Sequence, residues 1–93
     1  MYFLLFYDYV EGMLEKRLPY REKHLALAQE YVLNQELILG GAYAEPVDGA
    51  VIIFHVQDKA RVEYFVQNDP YVKNHLVRRW HIRAYSAVVG TAL

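Results

Sequence analysis

The side chains best suited to proton transfer in this 93-residue chain are its histidines and one aspartate that directly precedes a proline. The four histidines are His24, His55, His75 and His81. An unperturbed imidazole has a pKa of ~6.5, which suits general acid or base catalysis near neutral pH. Asp69, before Pro70, is well placed to cap a helix with one carboxylate oxygen and to orient an imidazole with the other. The residues alone leave open which histidine is the partner.

Other kinds of site find less support in the sequence. Cysteine is absent, which excludes disulfides, thiolate catalysis and a cysteine-based zinc site. No two histidines have the i, i+4 or alternating spacing that brings metal ligands together, so we expect no metal and no cofactor. Gly40 and Gly41 lack the spacing and the lysine of a phosphate-binding loop, and we interpret them as a bulge or a close approach to the backbone. Tyr9 and Ser86 are candidates for a pocket wall only, because no nucleophile-elbow motif surrounds the serine.

Composition and charge exclude several classes of partner. The formal net charge is -1 and there is no long run of Lys and Arg, so we expect no nucleic acid. The apolar start MYFLLFYDYV is shorter than the ~20 residues that span a bilayer and lacks the basic region and cleavage site of a signal peptide. We therefore expect a cytoplasmic protein with no membrane partner. Nine Tyr, four Phe and one Trp exceed the needs of a small core, which indicates an aromatic pocket or subunit interface.

The segment VRRWHIR near the end of the chain combines basic and aromatic residues. On a strand, Arg79, His81 and Arg83 would share one face. We favour a solvated sheet edge or a salt-bridged interface over an anion-binding site for these three residues, and binding of an anionic substrate group stays open.

Hydrophobic periodicity predicts six main elements in the order β-α-β-β-α-β, which is a ferredoxin-like α+β topology with an antiparallel sheet. Tyr2 to Val10 predicts the first strand, and a helix follows Pro19 through YREKHLALAQEYVLN. ELILGGAYA and GAVIIFHVQ predict a hairpin around EPVDG, Asp58 caps a second helix over KARVEYFVQN, and WHIRAYSAVVG predicts the last strand. In the first helix, Leu25, Ala28 and Val32 form the apolar stripe, and His24, Leu27 and Tyr31 lie beside it.

The predicted strands carry apolar residues on both faces, although two helices can cover only one face of a four-stranded sheet. The second face needs another cover. The simplest cover is a second copy of the chain, with the two sheets packed face to face. We therefore predict a homodimer or a higher homo-oligomer.

Three segments resemble the YCII-related (YciI-like) domain family: MLEKRLPYREKHLALAQ, LGG at 39–41 and NDPYV at 68–72. The resemblance covers nearly the whole chain, so we expect residues 1–93 to form a single YCII-related domain. It implies a dimeric α+β barrel built from ferredoxin-like protomers. Many relatives have a small residue and a glycine where this chain has Lys73, Asn74 and His75.

The resemblance also implies a function. In the family, the histidine of the first helix and the aspartate before the proline form the active-site pair, here His24 and Asp69. We expect a small-molecule enzyme that performs cofactor-independent acid-base chemistry on a small cyclic or aromatic metabolite, lactone- or quinol-like. His24 would transfer the proton and Asp69 would orient it. The residues predicted to contact the substrate are Arg21, Tyr7, Tyr71 and Gly41. The alternative is a non-catalytic ligand-binding or regulatory dimer.

Overall fold

The computed structural model describes all 93 residues, which form one four-stranded antiparallel sheet and four helices. The elements along the chain are β1 (Tyr2–Tyr9), α1 (Met13–Lys16), α2 (Arg21–Leu33), β2 (Leu37–Ala42), β3 (Gly49–His55), α3 (Lys59–Asn68), α4 (Pro70–Lys73) and β4 (Val77–Tyr85). The strand order in the sheet is β2-β3-β1-β4, and every neighbouring pair is antiparallel. The predicted ferredoxin-like topology is confirmed.

Two local features differ from the expected elements. The short helix α1 has no sequence signal, because four residues are too few to show a period, and it begins after Gly12 in the left-handed region (φ 73°). Pro19 lies in the turn before α2 and not in its first turn, since the helix begins at Arg21. This turn brings Arg17 close to the start of α2, through a hydrogen bond from the Tyr20 amide to the Arg17 carbonyl oxygen (2.9 Å).

The core lies between the sheet and the longer helices. On β1, the residues that face the helices are the buried ones, namely Phe3, Leu5, Tyr7 and Tyr9. Tyr31 of α2 packs edge-on against Phe54 and Phe65, with ring centroids 5.7 and 5.2 Å apart. Each such aromatic pair stabilises the fold by about 0.5–1.5 kcal/mol beyond its buried area.

This aromatic cluster decides which stripe of α2 faces the core. Tyr31 is buried, whereas Leu25 and Val32 of the other stripe are 48% and 41% exposed. The stripe that holds His24, Leu27 and Tyr31 is therefore the inner one. Leu25 and Val32 are left to line a cavity beside the helix.

No helix covers the opposite face of the sheet, which we call the outer face. Its centre is apolar and half-buried, and consists of Leu4, Phe6, Val51 and Ile53. Two stacked aromatic pairs lie on this face, Tyr2 with His55 (4.3 Å) and Phe6 with His81 (4.8 Å). The predicted subunit contact through this face stays a prediction. No helix in the structure has the length and hydrophobicity needed to cross a membrane.

Candidate active site

Asp69 lies at the junction between α3 and α4 and is completely buried. The following proline disfavours helical geometry at this residue, which has φ -71° and ψ 120° and so ends α3. Its Oδ1 atom accepts a hydrogen bond from the Tyr71 amide at 2.9 Å and thereby caps α4. The predicted capping role is present in the structure, and the carboxylate has further partners.

His24, the fourth residue of α2, is a second partner of this carboxylate. Its Nδ1 atom lies 2.8 Å from Oδ1 of Asp69, and its ring stacks on Tyr71 with centroids 3.8 Å apart and planes 7° from parallel. An ionised carboxylate only accepts hydrogen bonds, so Nδ1 carries the hydrogen of this pair. The neutral ring then keeps its lone pair on Nε2. Because the stacked ring and the Nδ1 contact fix the imidazole, this lone pair has a defined direction.

Tyr7 holds the other carboxylate oxygen. Its hydroxyl donates to Oδ2 of Asp69 at 2.7 Å, from a side chain that is 1% exposed. Burial, and then the charge of Asp69, raise the pKa of Tyr7 far above its ordinary value, so the phenol remains a donor. Asp69 thus accepts three hydrogen bonds within the protein. Such a fully bonded carboxylate is a rigid support for the imidazole.

A cavity of about 600 Å³ opens beside this group, between α2 and the strands β2 and β3. Its volume falls within the range of small-molecule sites, ~300–1,000 Å³. One part of the wall is apolar and contains Leu25, Ala28, Val32, Ile38 and Ile52. The polar part contains Tyr9, Arg17, Arg21, His24 and Tyr71. Asp69 does not line the cavity, so His24 stands between the carboxylate and any ligand.

The residues predicted to contact a substrate occupy two kinds of position. Arg21, Tyr71 and Gly41 line the cavity. Tyr7 does not, because it lies behind Asp69 and contacts the carboxylate instead. Residues 73–75, where the chain departs from many relatives, are also absent from the cavity wall.

Gly41 lines the cavity only with its backbone. It pairs with Val51 on the outer face, and a Cβ atom at this position would meet nothing within 4 Å. Gly40 pairs with Ile52, and its Cβ atom would lie 3.2 Å from the Ile52 side chain on the cavity side. The cause is a register shift between Leu37 and Leu39, which reverses the inside-outside alternation along β2.

Arg17 is a cavity residue that the sequence analysis missed. Burial raises the pKa of Tyr71, and the charge of Arg21, followed by that of Arg17, opposes this shift. Burial likewise raises the pKa of Tyr9, and both arginines oppose it. Both guanidinium groups therefore lie near the two tyrosine hydroxyls. The available signal was the placement of Arg17 and Arg21 on either side of Pro19, in the turn that leads into the histidine helix.

The remaining histidines and the basic segment of β4 lie elsewhere. His55 and His81 stack on aromatic rings of the outer face. Arg79 forms an exposed ion pair with Asp8 (3.2 Å) on the same face of the edge strand β4, and the salt-bridged interface stays a prediction. No three His, Cys, Asp or Glu side chains come together in a way that could hold a metal ion.

The profile of the YCII-related domain family matches residues 1–86. No curated protein matches the chain. Among solved structures, the fold is similar to 5-chloro-2-hydroxyhydroquinone dehydrochlorinase from Burkholderia phenoliruptrix AC1100 in complex with 2,5-dihydroxybenzoquinone. That similarity has a TM-score of 0.79 at 23% identity and covers 92% of this chain and 94% of that chain.

Two further structures share the fold. A protein from Agrobacterium tumefaciens has a TM-score of 0.54 at 15% identity, with 88% of each chain covered. An antibiotic biosynthesis monooxygenase has a TM-score of 0.55 at 14% identity, with 96% of this chain and 100% of that chain covered. These similarities show a shared fold and confirm the predicted α+β fold class of the protomer.

Proposed function

The chain belongs to the YCII-related domain family, and from this premise we propose that it is an enzyme that transfers a proton on a small cyclic or aromatic metabolite through His24 and Asp69. The observation that carries the proposal is the 2.8 Å contact between Nδ1 of His24 and a carboxylate that is sealed from solvent, with the ring of His24 at the cavity wall. The proposed chemistry uses only side chains of this protein.

In this proposal, Nε2 of His24 takes a proton from the substrate or returns it. The imidazole gains charge when it does so, and Asp69 stabilises that charge from the opposite edge of the ring. Tyr7 is a positioning residue, because it contacts the carboxylate and not the cavity. Tyr71 packs against one face of the imidazole and so restricts its rotation.

The mostly hydrophobic lining of the cavity supports a mostly apolar substrate. Its apolar wall comes from α2 on one side and from β2 and β3 on the other, and the volume of about 600 Å³ exceeds the needs of a single six-membered ring. The structural neighbour from Burkholderia phenoliruptrix acts on a chlorinated hydroxyhydroquinone and was solved with 2,5-dihydroxybenzoquinone. Ring compounds of this kind, together with small lactones, are therefore the substrates that we propose first.

Proton transfer at carbon gives a direct test that does not require the natural substrate. In deuterium oxide, we expect the protein to accelerate hydrogen-deuterium exchange at the ring carbons of 2,5-dihydroxybenzoquinone or at the α-carbon of a small lactone, as measured by NMR. Release of chloride from 5-chloro-2-hydroxyhydroquinone is a second readout. His24→Gln should lower the catalysed rate by about 100-fold or more, which is the usual contribution of a positioned general base.

His75→Gln is the matched control, because His75 is exposed and lies outside the cavity wall. It should leave the rate unchanged. The alternative function, a non-catalytic ligand-binding dimer, predicts saturable binding of these ring compounds without any exchange or chloride release. Exchange that is equally fast in wild type and His24→Gln would refute the role of the histidine.

We further propose that the protein acts as a homodimer joined through the outer face. The uncovered apolar centre of that face supports this assembly, since exposed apolar patches of this kind are typical of subunit contacts. The cavity lies on the helix side of the sheet, so each protomer would keep its own site.

A further inference from the structure

The cavity continues along α2 well beyond the imidazole of His24. The helix residues in its wall recur at three- and four-residue intervals on one face, namely Arg21, His24, Leu25, Ala28, Gln29 and Val32. Because a helix rises about 1.5 Å per residue, Val32 lies roughly 12 Å from His24 along the helix axis. The histidine therefore stands near one end of a long cavity, which we call the catalytic end.

The strands on the other side of the cavity run in the same direction between its two ends. Ala42 of β2 pairs with Ala50, which pairs in turn with Tyr7, the donor to the buried carboxylate. This end of β2 therefore lies at the catalytic end. Only residues 34–36 separate α2 from β2, so Leu37 lies at the opposite end, beside Val32.

The part of the cavity away from the imidazole is apolar and has no charged side chain. We call this part the distal groove, and it is lined by Ala28, Val32, Leu37, Ile38, Gly40 and Ile52. Val32 and Ile38 are 41% and 43% exposed, although apolar side chains of this size gain free energy when they leave water. Exposed apolar side chains in the wall of a concave cavity are typical of a ligand-binding groove.

Two small residues leave a passage between the catalytic end and the distal groove. Ala28 follows His24 by one helical turn, and Gly40 lies on β2 between Leu37 and the catalytic end. Gly40 has no side chain on the cavity side, where a Cβ atom would lie only 3.2 Å from Ile52. A ligand held beside His24 can therefore continue into the distal groove.

We infer that the distal groove binds an alkyl chain of the substrate, attached to the ring that reacts at His24. This inference rests on the proposed function and adds a second part to the molecule on which the enzyme acts. A single ring fills only the catalytic end of a cavity of about 600 Å³. The chain would cover Val32 and Ile38, and removal of these apolar surfaces from water favours binding. It would leave no charged group of the groove without a partner.

Binding of γ-butyrolactones that differ only in the alkyl chain on the ring tests the groove without turnover. We would titrate compounds with a methyl, butyl, hexyl or octyl chain into the wild-type protein and follow methyl resonances by NMR. A methylene strengthens binding about fourfold when fully buried and about twofold when half-buried. The butyl compound should therefore bind about tenfold more tightly than the methyl compound, or better.

The position and the limit of this gain are also expected. The methyl resonances of Ala28, Val32 and Ile38 should shift with the butyl compound and much less with the methyl compound. The gain in affinity should stop once the chain is long enough to pass Val32. Adsorption to apolar surface elsewhere on the protein would instead keep growing with chain length.

Variants assign the effect to the groove. Ala28→Phe should close the passage and bring the affinity ratio of the butyl to the methyl compound from about tenfold to near one. Ala26→Phe is the matched control, because Ala26 is exposed on the same helix outside the cavity wall, and it should keep the wild-type ratio. Val32→Asn, at an exposed position, is a second variant if Ala28→Phe does not fold, and it should lower the ratio by about twofold or more.

The outcomes separate this inference from the proposed function. Equal affinity of the wild-type protein for the methyl and butyl compounds, as expected if a second protomer covers the groove, would overturn the inference. A ratio that folded Ala28→Phe leaves unchanged would do the same. Chain-dependent binding without exchange at the lactone α-carbon would overturn the proposed function and keep the groove. Exchange that depends on His24, together with equal affinities for both compounds, would do the reverse.

Discussion

Replacing Asp69 by alanine should be far more costly than removing an ordinary helix cap. The substitution deletes the acceptor of the Tyr71 amide, the Tyr7 hydroxyl and Nδ1 of His24 at once. Loss of a cap costs about 1 kcal/mol. Each buried donor left without a partner adds about 1–3 kcal/mol.

The expected cost depends on how far water can replace the carboxylate. Tyr7 is 1% exposed, so its hydroxyl bears most of the penalty, whereas the His24 side chain is 12% exposed and loses less. We therefore expect Asp69→Ala to lower the free energy of unfolding by about 3–5 kcal/mol. A domain of this size has only about 5–14 kcal/mol in total. Asp69→Ala should thus be the most destabilising single change at the site and should fold only marginally.

Asp69→Asn should cost less, by about 1–2 kcal/mol. The amide keeps an oxygen that can accept from the Tyr71 amide, so the cap of α4 survives. Its NH2 group faces the Tyr7 hydroxyl in place of Oδ2, and the hydroxyl then has to reverse its role from donor to acceptor.

Urea unfolding followed by circular dichroism measures both costs, and Asp58→Ala is the matched control. Asp58 also caps a helix, but its exposed side chain accepts only from the Ala60 amide (2.9 Å). We expect this control to cost about 1 kcal/mol. If Asp69→Ala costs no more than Asp58→Ala, then the carboxylate is only a cap and the reasoning about its other two partners is wrong.

Three further outcomes are expected. Light scattering should show that the wild-type protein is a dimer at micromolar concentration and that Phe6→Asp, on the outer face, is a folded monomer. Phe3→Asp, in the core, should not fold. A monomeric wild type would contradict the subunit contact. Arg61 donates two hydrogen bonds to Glu36 and holds the pKa of that carboxyl below its usual range. Because the pair is partly exposed, it should add about 1 kcal/mol or less to the free energy of unfolding at pH values above the ordinary pKa of ~4.3, and this gain should be lost as the pH falls further. Unfolding curves of Glu36→Gln should lack that loss. Burial and the charge of Asp69 raise the pKa of Tyr7 above the value of ~10 that it has in the unfolded chain, so the protein should lose stability as the pH rises above ~10. Tyr7→Phe should reduce this loss in alkaline unfolding curves. An unchanged slope would show that Tyr7 does not titrate with unfolding.

Local chemistry was enough to predict the elements and part of the site. A proline disfavours helical geometry in the residue before it, and an aspartate there caps the next helix, so the end of α3 and the start of α4 at Asp69 follow from two adjacent residues. Runs of apolar residues separated by turn residues likewise predict the strands and the β2-β3 hairpin. His24 as the partner of Asp69 followed from the family resemblance and not from spacing, because 45 positions separate the two residues.

Tertiary packing decided what the residues left open. Helix α2 carries two apolar stripes, and the aromatic rings of Phe54 and Phe65 select the one that contains Tyr31. That choice turns Leu25 outward into the cavity wall.

The register of β2 and the turn before α2 were equally hidden in the sequence. A strand that alternates without interruption from Leu37 would place Gly41 on the inside, and a single shift before Leu39 places Gly40 there instead. Arg17 joins the site because the chain bends back between α1 and α2. Periodicity reports the repeat within one element, whereas bulges, turns and contacts between elements determine which side chains finally meet.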